Sequence, residues 1–423
     1  LAGLSAAAAL ASAGYKVEIL ESRAFIGGRA TSWPVGEEAE VVDNCQHVLI
    51  RCCNNLLDFY SRLGVRDKIQ FFPEFYFLEP GGRKSTLRRG MLPAPFHFTG
   101  SFLGLKFLSF GDKVKIGMAM LAIRSERHRT DLDDISMLDW LREKRQSPRA
   151  IERYWRQVLV SAINEELDRM AASHGFQVFW LSMLADSKSY EMGIPSVPLR
   201  ELYRQDSWDK VGAVAIRPRT SVTEIQIRNS RVFSVSAGDR RYSADYYISA
   251  LPFERLPPLG IEVPDMEHSP ITGIHLWFDR PITDLPHATL LDRTIQWMFN
   301  KSEGRYIQVV VSASRTLTEM PRADVIALAV NELAEFFQAV REARLEKAQV
   351  IKEVRATFSA RPGLEEQRPL TETVLGNFYL AGDWTRSGWP ATMEGAVRSG
   401  YLAAEAVTRA AGAPRRFLIP DVE

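Results

Sequence analysis

An excess of charge of one sign is missing from this sequence. Its 423 residues carry 53 Lys and Arg against 52 Asp and Glu, a net of +1. With no global field to attract a polyanion, nucleic acid is not an expected partner. Cysteine is scarce, with only Cys45, Cys52 and Cys53. An odd count leaves one thiol unpaired, and the adjacent pair Cys52-Cys53 has poor geometry for a bridge. Paired C-x-x-C motifs are absent and the seven histidines are scattered without ligand spacing, so no metal site is expected. Reduced thiols in a reducing, cytoplasmic compartment are the plain reading. No run approaches the roughly 18 apolar residues needed to span a bilayer. The uncharged stretch Gly90 to Leu105 is interrupted by Pro93 and Pro95. No secretory leader is read from the first residues.

The remaining composition is that of a globular protein, with 46% hydrophobic and 25% charged residues. At roughly 150 residues per unit, the length allows two or three domains. Leu4 to Ser12 is a run of small residues followed by Ala13-Gly14, which predicts a helix that can pack closely on a sheet and ends at glycine. Tyr15 to Leu20 alternates as a strand does and ends in Glu21. Helix, tight turn, strand and terminal acid form the second half of a dinucleotide-binding βαβ unit, with Glu21 placed to accept from a ribose hydroxyl. Gly3 then reads as the third glycine of G-x-G-x-x-G. The preceding strand and glycines are not in the sequence, so the chain is expected to be truncated at its N-terminus.

Just after the acid come Gly27, Gly28 and Arg29. The glycines permit close backbone approach, and the arginine can neutralise a diphosphate. Near the other end, Asn377 to Ala381 predicts a strand leading into Gly382-Asp383, a loop, and a helix over Met393 to Ala410. The N-terminus of that helix can stabilise negative charge on a flavin's pyrimidine edge, and Asp383 can bond ribityl or ribose hydroxyls. Four short alternating runs, Ala213–Ile216, Val222–Ile225, Arg231–Val235 and Asp245–Ser249, predict a meander on this nucleotide unit.

The middle of the chain is apolar and aromatic. Met91 to Phe98, Phe102 to Leu108 and a helix over Asp112 to Arg124 carry Lys106, Lys113, Lys115 and Arg124 among apolar side chains. This pattern fits a buried helix pair, the plainer reading, or a membrane interface. The strands Gly273–Phe278 and Arg305–Ser312 are placed to floor a tunnel. Asp324 to Arg341 reads as one amphipathic helix, and Pro414 to Glu423 as a loose surface tail.

These ends, with the internal blocks Asp43-Asn44-Cys45-Gln46-His47, Glu191-Met192-Gly193-Ile194-Pro195 and Leu276-Trp277-Phe278-Asp279-Arg280, resemble the squalene-associated FAD-dependent desaturase and hydroxysqualene dehydroxylase family. That family lies within the amine oxidase and phytoene desaturase flavoprotein superfamily. The resemblance runs over essentially the whole chain, and it departs from the family at Cys45, where glycine is usual. It implies an α/β architecture: a discontinuous Rossmann-like FAD-binding domain of glutathione-reductase type with an α+β substrate domain, amine-oxidase-like. The first would take residues 1–75, 205–260 and 365–412, and the second 76–204 and 261–364.

By the same resemblance, Gly3, Glu21, Gly27, Gly28 and Arg29 would hold the ADP and diphosphate of FAD. The backbone of Val222 would meet the adenine. Gly382, Asp383, Thr392 and Met393 would hold the ribityl chain and isoalloxazine. The implied substrate is a long-chain isoprenoid. In one chemistry, hydroxysqualene loses water to an allylic cation that accepts hydride from reduced flavin, in hopanoid or triterpenoid synthesis. The electron donor is left unnamed. A general acid must reach the leaving hydroxyl, and Asp43 and His47 are the candidates. Trp384 and Trp389 either line the cation's path or simply pack. A carotenoid-type desaturase and a non-catalytic isoprenoid carrier are the alternatives. Peripheral contact with the inner face of the cytoplasmic membrane accords with such a substrate.

Overall fold

The computed structural model describes residues 1–35 and 40–422. Small side chains set its nucleotide-side packing. The first helix, Ala2–Ser12, buries nine of its eleven residues. It lies against the last helix, Met393–Ala410, at Gly400. A Cβ there would fall 2.2 Å from both the Ala2 carbonyl oxygen and Ser5 Oγ. Ser5 Oγ donates to the Val397 carbonyl at 3.2 Å across the same contact. The last helix also serves the helix Asn54–Arg62, which has no side-chain cap of its own. The Glu394 carboxylate accepts from the backbone N–H of Asn55 at 3.1 Å and of Leu56 at 2.7 Å.

Around these helices run two short parallel pairs. Val17–Leu20 pairs with Val214–Arg217, and Tyr247–Ser249 pairs with Phe378–Leu380. The four runs expected as one meander therefore go to three sheets. Only Glu224–Arg228 and Arg231–Ala237, with Arg240–Tyr242, form an antiparallel meander. Val222 lies before the strand, which begins at Glu224.

The largest sheet has seven strands in the order Leu345–Phe358, His268–Phe278, Tyr306–Ser312, Trp297–Ser302, His287–Leu290, Glu74–Leu78 and Lys84–Arg88. It is mixed: His287–Leu290 runs parallel to Glu74–Leu78, while the other pairs are antiparallel. One face packs Ile274, Leu276, Ala288, Leu290 and Met298 into a core covered by the helix Arg322–Phe336. That helix is shorter than the sequence suggests. Phe337 is extended (φ −125°, ψ 106°), and a 3-10 turn follows at Gln338–Arg341. Phe336 and Phe337 are both buried, so packing, not periodicity, ends it.

The helix Phe110–Glu126 begins with a capping box. Ser109 Oγ accepts from Asp112 N–H at 3.1 Å, and the Asp112 carboxylate accepts from Ser109 N–H at 3.0 Å. It buries Ile116, Ala119 and Ile123 but exposes Phe110, Val114, Met118 and Leu121, so it is not buried on both sides. No helix among the described residues is long and apolar enough to cross a membrane. The tail is docked rather than loose. Phe417 and Leu418 N–H donate to Glu405 Oε1 at 2.7 and 2.8 Å, and Asp421 accepts from Arg398 at 2.8 Å.

Candidate active site

At the nucleotide side, the strand Val17–Leu20 delivers Glu21 to the edge of its sheet. The Glu21 carboxylate accepts from Arg23 N–H at 2.9 Å and Ser22 Oγ at 3.3 Å. Its carbonyl accepts from Thr220 N–H at 2.7 Å, which brings the segment leading to Val222 beside it. Gly3 sits close to Ala250, at the exit of the strand Tyr247–Ser249: an added Cβ would lie 3.0 Å from Ala250 Cβ. In the glycine loop both residues have positive φ, 113° at Gly27 and 64° at Gly28. A side chain at Gly27 would strike the Ala30 carbonyl at 2.8 Å, whereas the space over Gly28 is open. Gly27 thus makes the turn, and Gly28 leaves room for a ligand.

Arg29 reaches across to the other end of the chain. Its guanidinium donates to Asp383 Oδ1 at 2.6 Å and to the Ala356 carbonyl. Asp383 is held in a turn whose Ala381 N–H donates to the Ser249 carbonyl and whose Gly382 N–H donates to Ser399 Oγ. Thr392 caps the last helix, its Oγ1 accepting from Gly395 N–H at 3.0 Å. The Ala396 N–H bonds the Thr392 carbonyl, which leaves the N–H groups of Met393 and Glu394 to a ligand. Asn44 Oδ1 and Ser249 Oγ are buried nearby without a hydrogen-bond partner. An acid at a strand end, an open glycine loop, an arginine and a free helix N-terminus suit the ribose, diphosphate and ring of FAD.

Asp43 and His47 are placed differently from the acid expected of them. Asp43 Oδ1 accepts from Ser32 Oγ at 2.7 Å and Leu199 N–H at 2.9 Å, and its Oδ2 faces Lys301 Nζ at 3.3 Å. Lys301 also donates to Gln46 Oε1 at 2.9 Å. A carboxylate serving three donors holds the loop in place and is not arranged to give up a proton. His47 Nδ1 lies 2.9 Å from the Cys45 carbonyl oxygen, which can only accept, so Nδ1 carries the hydrogen. Burial lowers the His47 pKa, so the ring is neutral near pH 7 and its Nε2 is an acceptor. Trp384 and Trp389 pack as structural side chains. Their indole N–H groups go to the Leu251 carbonyl and the Asp421 carboxylate.

The sheet face opposite the helix-covered core meets this block. A Cβ on Gly273 would lie 3.4 Å from the Asn44 carbonyl oxygen and 3.6 Å from Cys45 Sγ, ordinary contact distances, so this strand packs directly on the block. Burial pushes that thiol up to about 12 and keeps it neutral. Across the strands from Gly273 run Val310, Trp297 and Thr289. In the parallel row lie His275, Gln308, Phe299 and His287. His275 Nδ1 is 2.7 Å from the Tyr306 hydroxyl, while His287 has no such partner. Sequence spacing does not bring these residues together, because they come in pairs from four different strands. The only local signal is the alternation of His287 and Thr289 with apolar Ala288 and Leu290. Among the described residues, no cluster of three His, Cys, Asp or Glu side chains could hold a metal ion.

A family model described as "Flavin containing amine oxidoreductase" matches residues 1–408. The 15-cis-phytoene desaturase of Synechococcus elongatus is 24% identical over 449 aligned residues, covering 96% of this chain and 94% of that protein. The hydroxysqualene dehydroxylase of Zymomonas mobilis is 27% identical over 421 residues, covering 96% of each. Among solved structures, an oxidoreductase of Methanosarcina mazei superposes with a TM-score of 0.69 at 17% identity, covering 95% of this chain and 96% of that one. A putrescine oxidase bound to putrescine superposes with a TM-score of 0.68 at 14% identity, covering 97% and 96%. The solved structures establish the fold as amine-oxidase-like, with a large mixed sheet, and the family match makes it FAD-binding.

Proposed function

The chain belongs to the flavin-containing amine oxidoreductase family, and from that premise we propose that it reductively removes the hydroxyl of hydroxysqualene to give squalene, for hopanoid or triterpenoid synthesis. The protein is a flavin oxidoreductase and its cofactor is FAD. The finer reading is supported by the sequence blocks around Asp43 and Glu191 and by the likeness to the Zymomonas mobilis dehydroxylase. One observation carries it: beside Asn44 and Cys45 stands an apolar, aromatic wall with a few isolated polar atoms. Such a wall suits a long hydrocarbon bearing one polar group.

In this reading Gly3 and Glu21 take the adenosine, with the Val222 backbone at the adenine. Gly27, Gly28 and Arg29 take the diphosphate. Gly382, Asp383, Thr392 and Met393 take the ribityl chain and ring. Residues 1–75, 205–260 and 365–412 form the FAD-binding unit, and 76–204 and 261–364 the substrate unit. FAD, when bound, supplies two-electron transfer as hydride. The chain's own residues position the substrate and exclude water. Asp43 and Lys301 fix the Asn44–His47 loop against the sheet. Trp297 and Phe299, stacked at 5.7 Å, offer ring faces to developing positive charge. His47 Nε2 can accept a proton but does not supply one at neutral pH.

The likeness to phytoene desaturases favours a second reading, oxidation of a carotenoid precursor with electrons passing to the flavin. Anaerobic incubation with FAD decides between them. Squalene formed from hydroxysqualene and dithionite-reduced FAD supports the first. Desaturated product from phytoene and oxidised FAD, with no squalene in the other arm, overturns it.

The substrate dissolves in membrane, and the exposed face of Phe110–Glu126 is where peripheral contact with the inner face of the cytoplasmic membrane would be made. Phe110 and Met118 are 74% and 66% exposed there. With exposed Val114 and Leu121 at helical spacing they form an apolar face, and the same stretch of chain carries exposed Lys106, Lys115 and Arg124, a charge pattern complementary to anionic headgroups.

A further inference from the structure

The strand His287–Leu290 lies inside the seven-stranded sheet, and its alternation divides it cleanly. Ala288 and Leu290 enter the apolar core behind the sheet. His287 and Thr289 go to the face that carries Trp297 and Phe299. His287 is fully buried, yet neither ring nitrogen has a hydrogen-bond partner. Thr289 Oγ1, also buried, has none. Burying a polar group without a partner is unfavourable, and native structures seldom tolerate it. Two such groups, two residues apart on one sheet face, leave three hydrogen-bonding atoms open to a bound partner.

The surroundings define what that is. Five aromatic rings enclose the imidazole, with centroids at 5.4 Å for Phe72, 5.5 Å for Tyr76, 6.2 Å for Trp297, 6.3 Å for Phe75 and 6.5 Å for Phe299. None of the five carries charge to match an ammonium or carboxylate. Burial pushes the His287 pKa down to about 4, so the ring is neutral. A neutral imidazole offers one donor and one acceptor, and so does a hydroxyl. Hydrocarbon would be content with the rings but would leave the nitrogens bare.

We infer that His287, assisted by Thr289, is a hydroxyl-binding subsite that selects an isoprenoid alcohol over the corresponding hydrocarbon. This rests on the reading of the substrate given above and adds the residues that recognise its one polar group. His287 is a specificity-determining residue here, and no proton transfer is assigned to it.

The test uses the full chain loaded with FAD and a matched pair of probes, hydroxysqualene and squalene. Binding is followed by quenching of tryptophan fluorescence, for which Trp297 stands in the wall. Wild type is expected to bind the alcohol about tenfold more tightly than the hydrocarbon, the worth of roughly one well-made hydrogen bond. His287→Phe keeps the aromatic box filled and is expected to erase that preference while leaving squalene binding and the flavin spectrum unchanged. His287→Gln, which retains a donor and an acceptor, is expected to restore part of it. Should His287→Phe fail to fold, Thr289→Val, nearly isosteric, is expected to reduce the preference severalfold. No preference in wild type, or one that survives both substitutions, overturns the subsite and leaves these groups to a buried water. Squalene formation is scored separately. A wild type that prefers the alcohol but never dehydroxylates it refutes the reaction and not the subsite. One that dehydroxylates with a preference indifferent to His287→Phe refutes the subsite alone.

Discussion

Arg29 Nη2 donates to Asp383 Oδ1 at 2.6 Å, joining residues 354 positions apart in the chain. The glycine loop that follows the first Glu21 strand and the turn that precedes the last helix are thereby one surface. The pair is not a simple stability device. The Arg29 side chain is 39% exposed, and an ion pair open to water contributes little to folding. Its effect is to hold a guanidinium at the turn before the last helix, close in sequence to the open glycine at Gly28.

Arg29→Ala is accordingly expected to cost FAD affinity more than stability. A loss of about tenfold or more in the dissociation constant, about 1.4 kcal/mol, is the anticipated size for one charge-assisted contact. Titration of the apo-protein by flavin fluorescence, beside a thermal melt without FAD, separates the two effects. An unchanged dissociation constant would remove Arg29 from the diphosphate site.

Gly400 admits no side chain. The Ala2 carbonyl, Ser5 Oγ and Ala6 N all lie within 3.0 Å of where a Cβ would sit, and two of the three are backbone. Gly400→Val is expected to push the first and last helices apart, with a loss of roughly 1–3 kcal/mol typical of overpacking. Because both helices begin at the proposed nucleotide site, flavin retention should fall with it. Denaturant unfolding and the flavin content of the purified variant check both halves.

Glu165 is wholly buried between Arg315, at 2.8 and 2.7 Å, the Ser359 hydroxyl and the Glu166 N–H. Burial opposes its charge, but Arg315, Ser359 and that N–H outweigh it and hold its pKa below the ordinary value of 4.5. A lowered folded-state pKa means stability that is present above the ordinary value and lost as pH falls through the folded one. Unfolding free energy should therefore drop on the acid side of pH 4.5, and Glu165→Gln should flatten that drop. Arg315→Ala, which leaves the buried carboxylate only Arg169 at 3.4 Å as a cationic partner, is expected to cost up to about 3 kcal/mol at neutral pH. Urea titrations across the pH range measure all three.

The exposed apolar face of Phe110–Glu126 leads to a binding experiment. Phe110→Glu with Met118→Glu should leave the fold intact, since both side chains stand in solvent. Co-sedimentation with vesicles containing anionic lipid is expected to fall severalfold in this variant, and in wild type to weaken with added salt. Equal sedimentation of variant and wild type would rule this face out.

What could be read in the sequence was what local chemistry determines. The last helix spans Met393–Ala410, the bounds the sequence indicates. The first begins two residues earlier than the pattern Leu4–Ser12 indicates. Pairing between distant strands was not legible. The run Ala213–Ile216 looks like part of a meander, yet its nearest sheet neighbour, Val17–Leu20, lies some two hundred residues earlier. Phe337 breaks a periodic helix because its burial matters more than the helix's continuation. In the site, Glu21 and the Gly27–Arg29 loop stood out because strand ends and glycines signal locally. His287 did not, since its five aromatic neighbours come from three strands and its lack of a partner is visible only in three dimensions. The partners of Asp43 were hidden for the same reason: Lys301 and Leu199, which bond its oxygens, lie far along the chain.

The account depends most on where FAD sits, and a crystal structure of the FAD-loaded protein tests that directly. The expected density places the ribose at Glu21, the diphosphate between Gly28 and Arg29, and the ring between the N–H groups of Met393 and Glu394 and the sheet face of Gly273 and His287. Density for the nucleotide that touches neither Glu21 nor the turn before Met393 would contradict it.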